Sequence, residues 1–232
     1  LRESFRILGG VDINSTSLKT YELNYGTHVL NADITTISPE SSLIQQTFKL
    51  KKNRPLIVIG CAPCQGFSAH RKKYGDKPED ERNTLIGYFS DIAVNLNPDF
   101  VVMENVPEIL TGKYKNHYEE AKKIFTKNGY YVVQRVYNAA GFGVPQARCR
   151  AIIVASKYKN FVLPDELLFE EEYKTVRDAI ADLPYVDARS QTEMADIYHR
   201  CSTHKQSTID VIAQIPHNGG SRPKGVGPKC LD

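Results

Sequence analysis

The sequence has 232 residues, of which 41% are hydrophobic and 25% are charged, and these shares are ordinary for a globular protein. They exclude a disordered, collagen-like or coiled-coil chain, and no apolar run approaches the roughly 20 residues that a membrane span needs. Lys and Arg outnumber Asp and Glu by 30 to 27, which permits a nucleic-acid partner without requiring one. Five cysteines in a chain of this length argue against a disulfide scaffold and indicate a reducing, cytoplasmic compartment.

Short β-rich runs alternate with helical patterns, which predicts an α/β fold with a mostly parallel sheet covered by helices. The predicted strands are residues 5–11, 28–31, 56–60, 100–104, 130–137 and 151–155. The run 56–59 (LIVI) is apolar throughout, as expected for a strand that is buried on both faces.

Helices are predicted between these strands. Ser15 is a suitable cap for a helix that continues to Asn24. Apolar residues at helical spacing indicate further helices around 43–48, 85–96 and 118–125. The basic run 49–54 is interpreted as a solvated helix end. After residue 156 the alternation fades, which is typical of a separate and looser region.

The densest cluster of reactive residue types is the segment 60–68 (GCAPCQGFS), which directly follows a predicted strand. Ligands of open α/β sheets bind at the carboxyl ends of strands. The thiols of Cys61 and Cys64 fit a zinc site, a dithiol redox pair or a single nucleophilic cysteine. Zinc is disfavoured because the other Cys and His residues form no second matching pair. Two small buried hydrophobic cysteines are the structural alternative.

Further polar residues follow or precede other predicted strands. Glu104 ends a buried strand, where a carboxyl group with a raised pKa would serve as a proton donor. Gln146, Arg148 and Arg150 alternate, so an extended segment would point all three to one side, suited to a heterocycle's carbonyl or a phosphate. Each feature alone is equally compatible with solvated residues at a sheet edge.

Two early strands also end in acidic residues. Asp12 ends the first predicted strand before a capped helix, and Asp33 ends the second in a similar position. A carboxylate placed there commonly bonds the ribose hydroxyls of an adenine-containing cofactor. Acidic residues are common at strand ends, so neither aspartate is diagnostic by itself.

Taken together, these segments resemble the bacterial cytosine-C5 DNA methyltransferases in order and spacing. The three main matches are Pro63-Cys64-Gln65, Glu104-Asn105-Val106 and Gln146-x-Arg148-x-Arg150. Lesser matches lie at residues 11–13, 32–34, 82–85, 141–146 and 175–180. The resemblance covers roughly residues 5–185 and continues weakly to 215–222.

The resemblance implies a Rossmann-like S-adenosylmethionine-dependent methyltransferase sheet with helices on both faces. This catalytic domain would occupy residues 1–185. Residues 186–232 would be the start of a smaller target-recognition region.

The resemblance also implies the chemistry, which is methyl transfer from S-adenosylmethionine to carbon 5 of cytosine in double-stranded DNA. The target base would be flipped out of the stack. Cys64 would add as a thiolate to carbon 6, which makes carbon 5 nucleophilic. Glu104 would bond the N3 edge and the amino group. Arg148 and Arg150 would hold the O2 side and order the catalytic loop, and Cys61 would have no catalytic role.

The family pattern further implies which residues bind cofactor and DNA, with no metal site. On the cofactor side Asp12 would bond the ribose, Ile13 would pack on adenine, and Asp33 and Ile34 would meet the adenine edge. The cofactor-binding set also includes Pro63 and Leu85. The residues implied to meet DNA are Gln65, Ser68, Arg71, Lys72 and Gln146, the basic ones in a mobile loop.

Two parts of the family pattern are not found in this sequence: an N-terminal Phe-x-Gly-x-Gly-Gly turn that holds the methionine end of the cofactor, and the C-terminal motifs. The chain is therefore expected to be a fragment or the ordered part of a longer protein, or one half of a split enzyme with a partner chain. The 232 residues alone are expected to bind S-adenosylmethionine poorly.

The intact protein is expected to be a monomer in the bacterial cytoplasm, with a role in a restriction-modification system. Three other functions compete with this interpretation. One is a tRNA cytosine-C5 methyltransferase of the same family. The second is a dithiol oxidoreductase that uses Cys61 and Cys64, and the third is a catalytically idle DNA-binding module.

Overall fold

The structure is a computed structural model that describes residues 4–62, 84–184, 186, 199, 202–216, 223 and 225–226. The chain divides into two compact units, Leu1–Val176 and Arg177–Asp232. Among the described residues, no helix combines the length and the apolar character that crossing a membrane requires.

The first unit contains six strands. They are β1 (Gly9–Asp12), β2 (His28–Asn31), β3 (Ile57–Gly60), β4 (Phe100–Asn105), β5 (Tyr131–Asn138) and β6 (Cys149–Ser156). β1 and β2 form a parallel pair, and the other four strands form a sheet in the order β3-β4-β6-β5. Five strands lie within two residues of the predicted positions, because each carries its own local apolar pattern. The prediction for β1 is residues 5–11, but the strand begins only at Gly9.

The sheet is mixed, so the prediction of a mostly parallel sheet is wrong for its second half. β3 runs parallel to β4, but β6 is antiparallel to both β4 and β5. β6 therefore lies between two strands that precede it in the chain. This order places the start of β6 next to the end of β4, where the register pairs Ala151 with Asn105.

β3 is less buried than its apolar sequence predicts. Ile57 is 37% exposed and Ile59 is 66% exposed, so the expectation of burial on both faces is wrong. In the described part of the chain β3 pairs only with β4, and Ile57 and Ile59 share a sheet face with Phe100 and Val102. Phe161 packs against the ring of Phe100, and the described hydrophobic cluster on this face includes neither Ile57 nor Ile59.

The helices follow the predicted pattern with one difference at a cap. They are α1 (Ser15–Tyr25), α2 (Leu43–Thr47), α3 (Leu85–Asn95), α4 (Lys115–Lys127), α5 (Val176–Ile180) and α6 (Gln206–Ile212). Short 3-10 turns occur at Ile34–Thr36, Pro107–Leu110, Gly112–Tyr114, Ala139–Phe142 and Glu170–Glu172. Asn14, and not Ser15, caps α1, because the Asn14 side chain accepts from the N–H groups of Thr16 and Ser17.

The main core lies between the four-stranded sheet and helices α3 and α4. Val101 and Met103 of β4 pack there against Ile86 of α3 and Phe125 of α4. A second cluster joins the β1–β2 pair to the other side of α3 through Phe48 and Ile92. α3 is thus shared by both clusters, and its burial on two sides holds the two sheets in one unit.

Two consecutive glycines of β1 bring helices onto both faces of the β1–β2 pair. A Cβ atom on Gly9 would overlap the ring of Phe48, which follows α2. A Cβ atom on Gly10 would press against the ring of Tyr21 on α1. Successive residues of a strand point to opposite faces, so α1 and α2 cover opposite sides of this pair.

Candidate functional site

The ends of β3 and β4 place a cysteine, a carboxylate and a buried amide side by side. Their register pairs Gly60 with Met103, so Cys61 follows β3 beside Glu104. One residue further, the Asn105 side chain donates from Nδ2 to the carbonyl of Ala62 at 3.3 Å. Asn105 is only 3% exposed, and its Oδ1 accepts from the N–H of Val106 at 2.9 Å. This buried side chain therefore fixes the backbone immediately before the Pro63-Cys64-Gln65 motif.

Glu104 is held by an arginine from β6. The Nε atom of Arg150 lies 2.7 Å from Oε1 of Glu104, and both side chains are partly shielded from solvent. The same guanidinium donates from Nη1 to the carbonyl of Cys149 at 2.7 Å. The pair joins two of the four residues that the resemblance assigns to the base, and both partners belong to regular strands. A partly buried arginine–carboxylate contact of this kind fixes the orientation of both side chains.

The Cys61 thiol lies in an environment that disfavours its thiolate. Cys61 keeps an exposed edge, but partial burial of its sulfur and, next, the negative charge of Glu104 raise the pKa of this thiol. Redox-active dithiols need the opposite, a thiol with a lowered pKa. This environment weighs against the dithiol interpretation of Cys61.

The segment that leads into β6 is only partly extended. β6 begins at Cys149, so Arg150 lies within the strand whereas Gln146 lies in a bend, with its N–H bonded to the carbonyl of Val144 at 2.7 Å. The expected alternation of all three side chains along one extended segment is therefore wrong at Gln146. The backbone of Arg148 is fixed to the end of β5, because its N–H donates to Oδ1 of Asn138 at 3.2 Å.

The carboxyl ends of β1 and β2 bring the two predicted cofactor segments together. The strands are parallel, and their register pairs Asp12 with Asn31. Asp12 uses Oδ1 to accept from the N–H of Asn14 at 2.7 Å. Ile13 is 68% exposed, which is unusual for an isoleucine beside two ordered strands.

Asp33 follows β2 and caps the short turn after it. Its Oδ1 accepts from the N–H of Thr35 at 2.9 Å and from the Thr35 hydroxyl at 2.8 Å. These bonds, the backbone one first, hold the pKa of Asp33 below its ordinary value. Asp33 is therefore a fixed carboxylate at neutral pH, with Ile34 half-buried next to it.

These residues suit an adenosine group. In both aspartates the described contacts engage Oδ1, so each carboxylate has a second oxygen suited to accept from a hydroxyl or an amino group. The exposed Ile13 side chain supplies an apolar surface beside them, as a flat purine ring requires. Leu85, the remaining described member of the predicted cofactor set, is half-buried as the first residue of α3.

Several predicted site residues lie outside the described part of the chain. They are Pro63, Cys64, Gln65, Ser68, Arg71 and Lys72, which include the predicted nucleophile and the basic DNA-binding loop. Within the described ranges, no group of three His, Cys, Asp or Glu side chains is arranged to hold a metal ion. A shallow pocket of about 440 Å³ on α1 contains none of the predicted site residues.

Two asparagines contribute to the site in ways that the sequence does not reveal. The sequence presents Asn105 only as part of a motif and Asn31 only as the end of a strand. In the structure both use side-chain amides to hold the backbone next to predicted functional residues. The sequence gives one indication of these roles. Each asparagine is the last residue of a strand, and an acidic residue is near it: Glu104 precedes Asn105, and Asp33 lies two residues after Asn31.

Comparison with protein families gives a match over nearly the whole chain. The sequence profile described as C-5 cytosine-specific DNA methylase matches residues 2–219. The type II methyltransferase M1.HphI of Haemophilus parahaemolyticus is 33% identical over 226 residues, which cover 95% of this chain and 58% of that protein. The type II methyltransferase M.XorII of Xanthomonas oryzae pv. oryzae is 41% identical over 142 residues, covering 60% of this chain and 31% of that protein.

Solved structures give a consistent result. A DNA modification methyltransferase encoded within a prophage of E. coli superposes with a TM-score of 0.63 and 26% identity, covering 83% of this chain and 53% of that one. The Entamoeba histolytica methyltransferase EhMeth, at a TM-score of 0.52 and 22% identity, shares the fold and covers 68% of this chain and 47% of that one. The chain thus spans about half the length of the structures that it matches.

Proposed function

The chain belongs to the C-5 cytosine-specific DNA methylase family, and on that premise we propose that the complete protein methylates carbon 5 of cytosine in double-stranded DNA. The observation that carries the proposal is the Glu104–Arg150 pair, with 2.7 Å between Oε1 and Nε. It lies beside the end of β3, from which the Pro63-Cys64-Gln65 motif continues. The type II methyltransferases among the relatives support a role in a restriction-modification system in the bacterial cytoplasm.

The chain's own residues would act on the base in the following way. Cys64 adds as a thiolate to carbon 6 of the flipped-out cytosine, forming a carbon–sulfur bond and making carbon 5 nucleophilic. Glu104, oriented by Arg150 through Oε1, bonds the N3 edge and the amino group as charge develops on the ring. Arg148 binds the O2 side. After methylation the carbon 5 proton is removed and the Cys64 thiolate is released.

The cofactor would lie at the ends of β1 and β2. Asp12 would accept from the ribose hydroxyls, Ile13 would pack on the adenine ring, and Asp33 would accept from the adenine edge. When bound, S-adenosylmethionine supplies the electrophilic methyl group. Pro63, Ile34 and Leu85 would complete the pocket, while Gln65, Ser68, Arg71, Lys72 and Gln146 would contact DNA.

The covalent step is tested by trapping. In 5-fluorocytosine, fluorine replaces the carbon 5 proton and cannot be removed as that proton is. After methylation of such a base in duplex DNA, the enzyme therefore stays bonded to carbon 6. We expect the full-length protein, given S-adenosylmethionine and such DNA, to form a complex that survives denaturation and maps to Cys64. Cys64→Ser should abolish the complex. The matched variant Cys61→Ser should retain it, whereas loss of trapping in Cys61→Ser alone would contradict the assignment.

The nucleic-acid substrate is tested separately with methyl-labelled S-adenosylmethionine. The substrates are total tRNA and genomic DNA that is unmethylated before the reaction. We expect the label to appear in the DNA as 5-methylcytosine and not in the tRNA. Label in tRNA alone would replace the DNA proposal with the tRNA one. Label in neither substrate, together with specific DNA binding, would indicate a catalytically idle module.

A further inference from the structure

Asn31 makes a two-pronged contact at the point where β1 ends. Its side-chain Nδ2 donates to the carbonyl of Asp12 at 3.1 Å and to the carbonyl of Ile13 at 2.9 Å. The N–H of Ala32 also donates to the Asp12 carbonyl, at 3.1 Å. One amide group on β2 thus holds two successive peptide units of the neighbouring chain segment.

The segment held in this way has few other restraints. β1 ends at Asp12, and α1 begins at Ser15. Among the described contacts, the Asp12 carbonyl receives one backbone bond, from Ala32, and the carbonyl of Ile13 receives none. The Ile13 side chain is 68% exposed, so packing does not fix it. The remaining restraint on the turn is local, because Asn14 donates to the Asp12 carboxylate and caps α1.

We propose that Asn31 is a positioning residue for the cofactor, acting through Asp12 and Ile13. By fixing both carbonyls, Asn31 sets the direction of the Asp12 carboxylate and the position of the apolar Ile13 side chain. The role depends on the proposed function, since Asp12 and Ile13 are assigned there to ribose and adenine. An asparagine is needed because both contacts require a donor, and an aspartate would face two carbonyl oxygens with a negative charge.

The test is the isosteric variant Asn31→Asp in the full-length protein. We expect the Kd for S-adenosylmethionine, measured by calorimetry, to rise by about tenfold, the effect of losing two modest hydrogen bonds. The KM for S-adenosylmethionine should rise in parallel. The kcat at saturating cofactor and the KM for DNA should stay within about twofold of wild type, because Asn31 does not touch the base.

Two further variants separate positioning from folding. Asn24→Asp makes the same isosteric change on α1, where Nδ2 donates to the Thr20 carbonyl at 2.8 Å, and should leave the Kd unchanged. Asn31→Ala removes the donors without adding charge, so it should raise the Kd in the same direction even if Asn31→Asp folds poorly. Thermal unfolding of each variant checks the fold.

The outcomes are distinct. A folded Asn31→Ala or Asn31→Asp protein with wild-type Kd overturns the positioning role, as does a lowered kcat with unchanged Kd. A lower melting temperature with unchanged Kd shows a structural role only and also overturns it. A wild-type protein that does not bind S-adenosylmethionine overturns the proposed function itself, and the role of Asn31 with it.

Discussion

Asp99 ties β3 to β4 at the end of the sheet opposite the candidate site. Its Oδ2 accepts from the N–H of Leu56 at 2.9 Å, and its Oδ1 accepts from the hydroxyl of Tyr158 at 3.1 Å. The hydrogen bond from the Leu56 N–H holds the pKa of Asp99 below its ordinary value of 3.8. The Tyr158 hydrogen bond and the positive charge of Lys157 lower this pKa by smaller amounts. The charged form is therefore the one that stabilises the fold.

This environment predicts a pH-dependent effect of Asp99→Asn. A carboxylate whose pKa is lowered by folding stabilises the protein fully above its unfolded value of 3.8, and loses that contribution as the pH falls through the folded value. We expect the Asp99→Asn protein to have a lower melting temperature than wild type at pH about 7. This difference in melting temperature should become smaller toward pH about 3. Tyr158→Phe, which removes one donor, should show a smaller version of the same trend. An equal difference in melting temperature at both pH values would contradict the prediction.

Single residues also show where sequence reasoning stops. A motif selects Glu104 and Arg150, and the structure brings them within 2.7 Å. The contact between Asn31 and the carbonyls of Asp12 and Ile13 is not predictable, because it joins residues that are distant in sequence and lacks a periodic pattern. The exposure of Ile59 cannot be predicted either, because an apolar run indicates a strand but not which of its faces is covered.

At the scale of elements, the junction of β3 with α3 depends on a glycine. A Cβ atom on Gly60 would overlap the ring of Phe89, which packs against the main core. Gly60→Ala should therefore lower the free energy of unfolding by about 1–3 kcal/mol, because the ring or the strand must shift. Urea unfolding measures this change.

Gly87 provides the matched control on α3. Among the described residues, nothing lies within 4 Å of the position that its Cβ atom would take. Gly87→Ala should leave stability unchanged or raise it by up to about 1 kcal/mol, because alanine favours the helix. Equal destabilisation by both substitutions would show that close packing at Gly60 is not the cause.

Elements are predictable in position but not in pairing. Runs of β-branched and aromatic residues locate five of the six strands, because strand formation leaves a local signature, whereas β1 (GGVD) begins later than its apolar run predicts. The insertion of β6 between β4 and β5 in antiparallel direction leaves no such signature, since it depends on which distant strand offers a free edge. The cap of α1 is displaced by one residue because Asn14 and Ser15 are both suitable caps, and only backbone geometry selects between them.

At the largest scale, the formal net charge of these 232 residues is +3, which is too small for them to bind DNA through an overall field. DNA binding by these residues would depend on local positive charge, which the proposed function assigns to Arg71 and Lys72. Replacing both with Gln would remove the two phosphate contacts that the proposal gives them. We expect the slope of log K against log salt for duplex DNA to become shallower by about 1.8, at roughly 0.9 per contact.

The matched control removes the same charge elsewhere. Lys51 and Lys52 are exposed residues that precede β3, at the amino end of the strand, whereas the site lies at its carboxyl end. Replacing both with Gln should leave the salt slope unchanged in DNA-binding titrations. A similar change of slope in both double variants would contradict a localised DNA contact.

The reversed direction of β6 has a consequence for biosynthesis. Glu104 is made well before Arg150, and the two meet only after β6 has inserted beside β4. A nascent chain on the ribosome that has emerged only as far as β4 carries the thiol motif and its acidic neighbour without the guanidinium that orients them. We therefore expect the proposed base-binding site to form late in synthesis, so that shorter translation products would not methylate DNA.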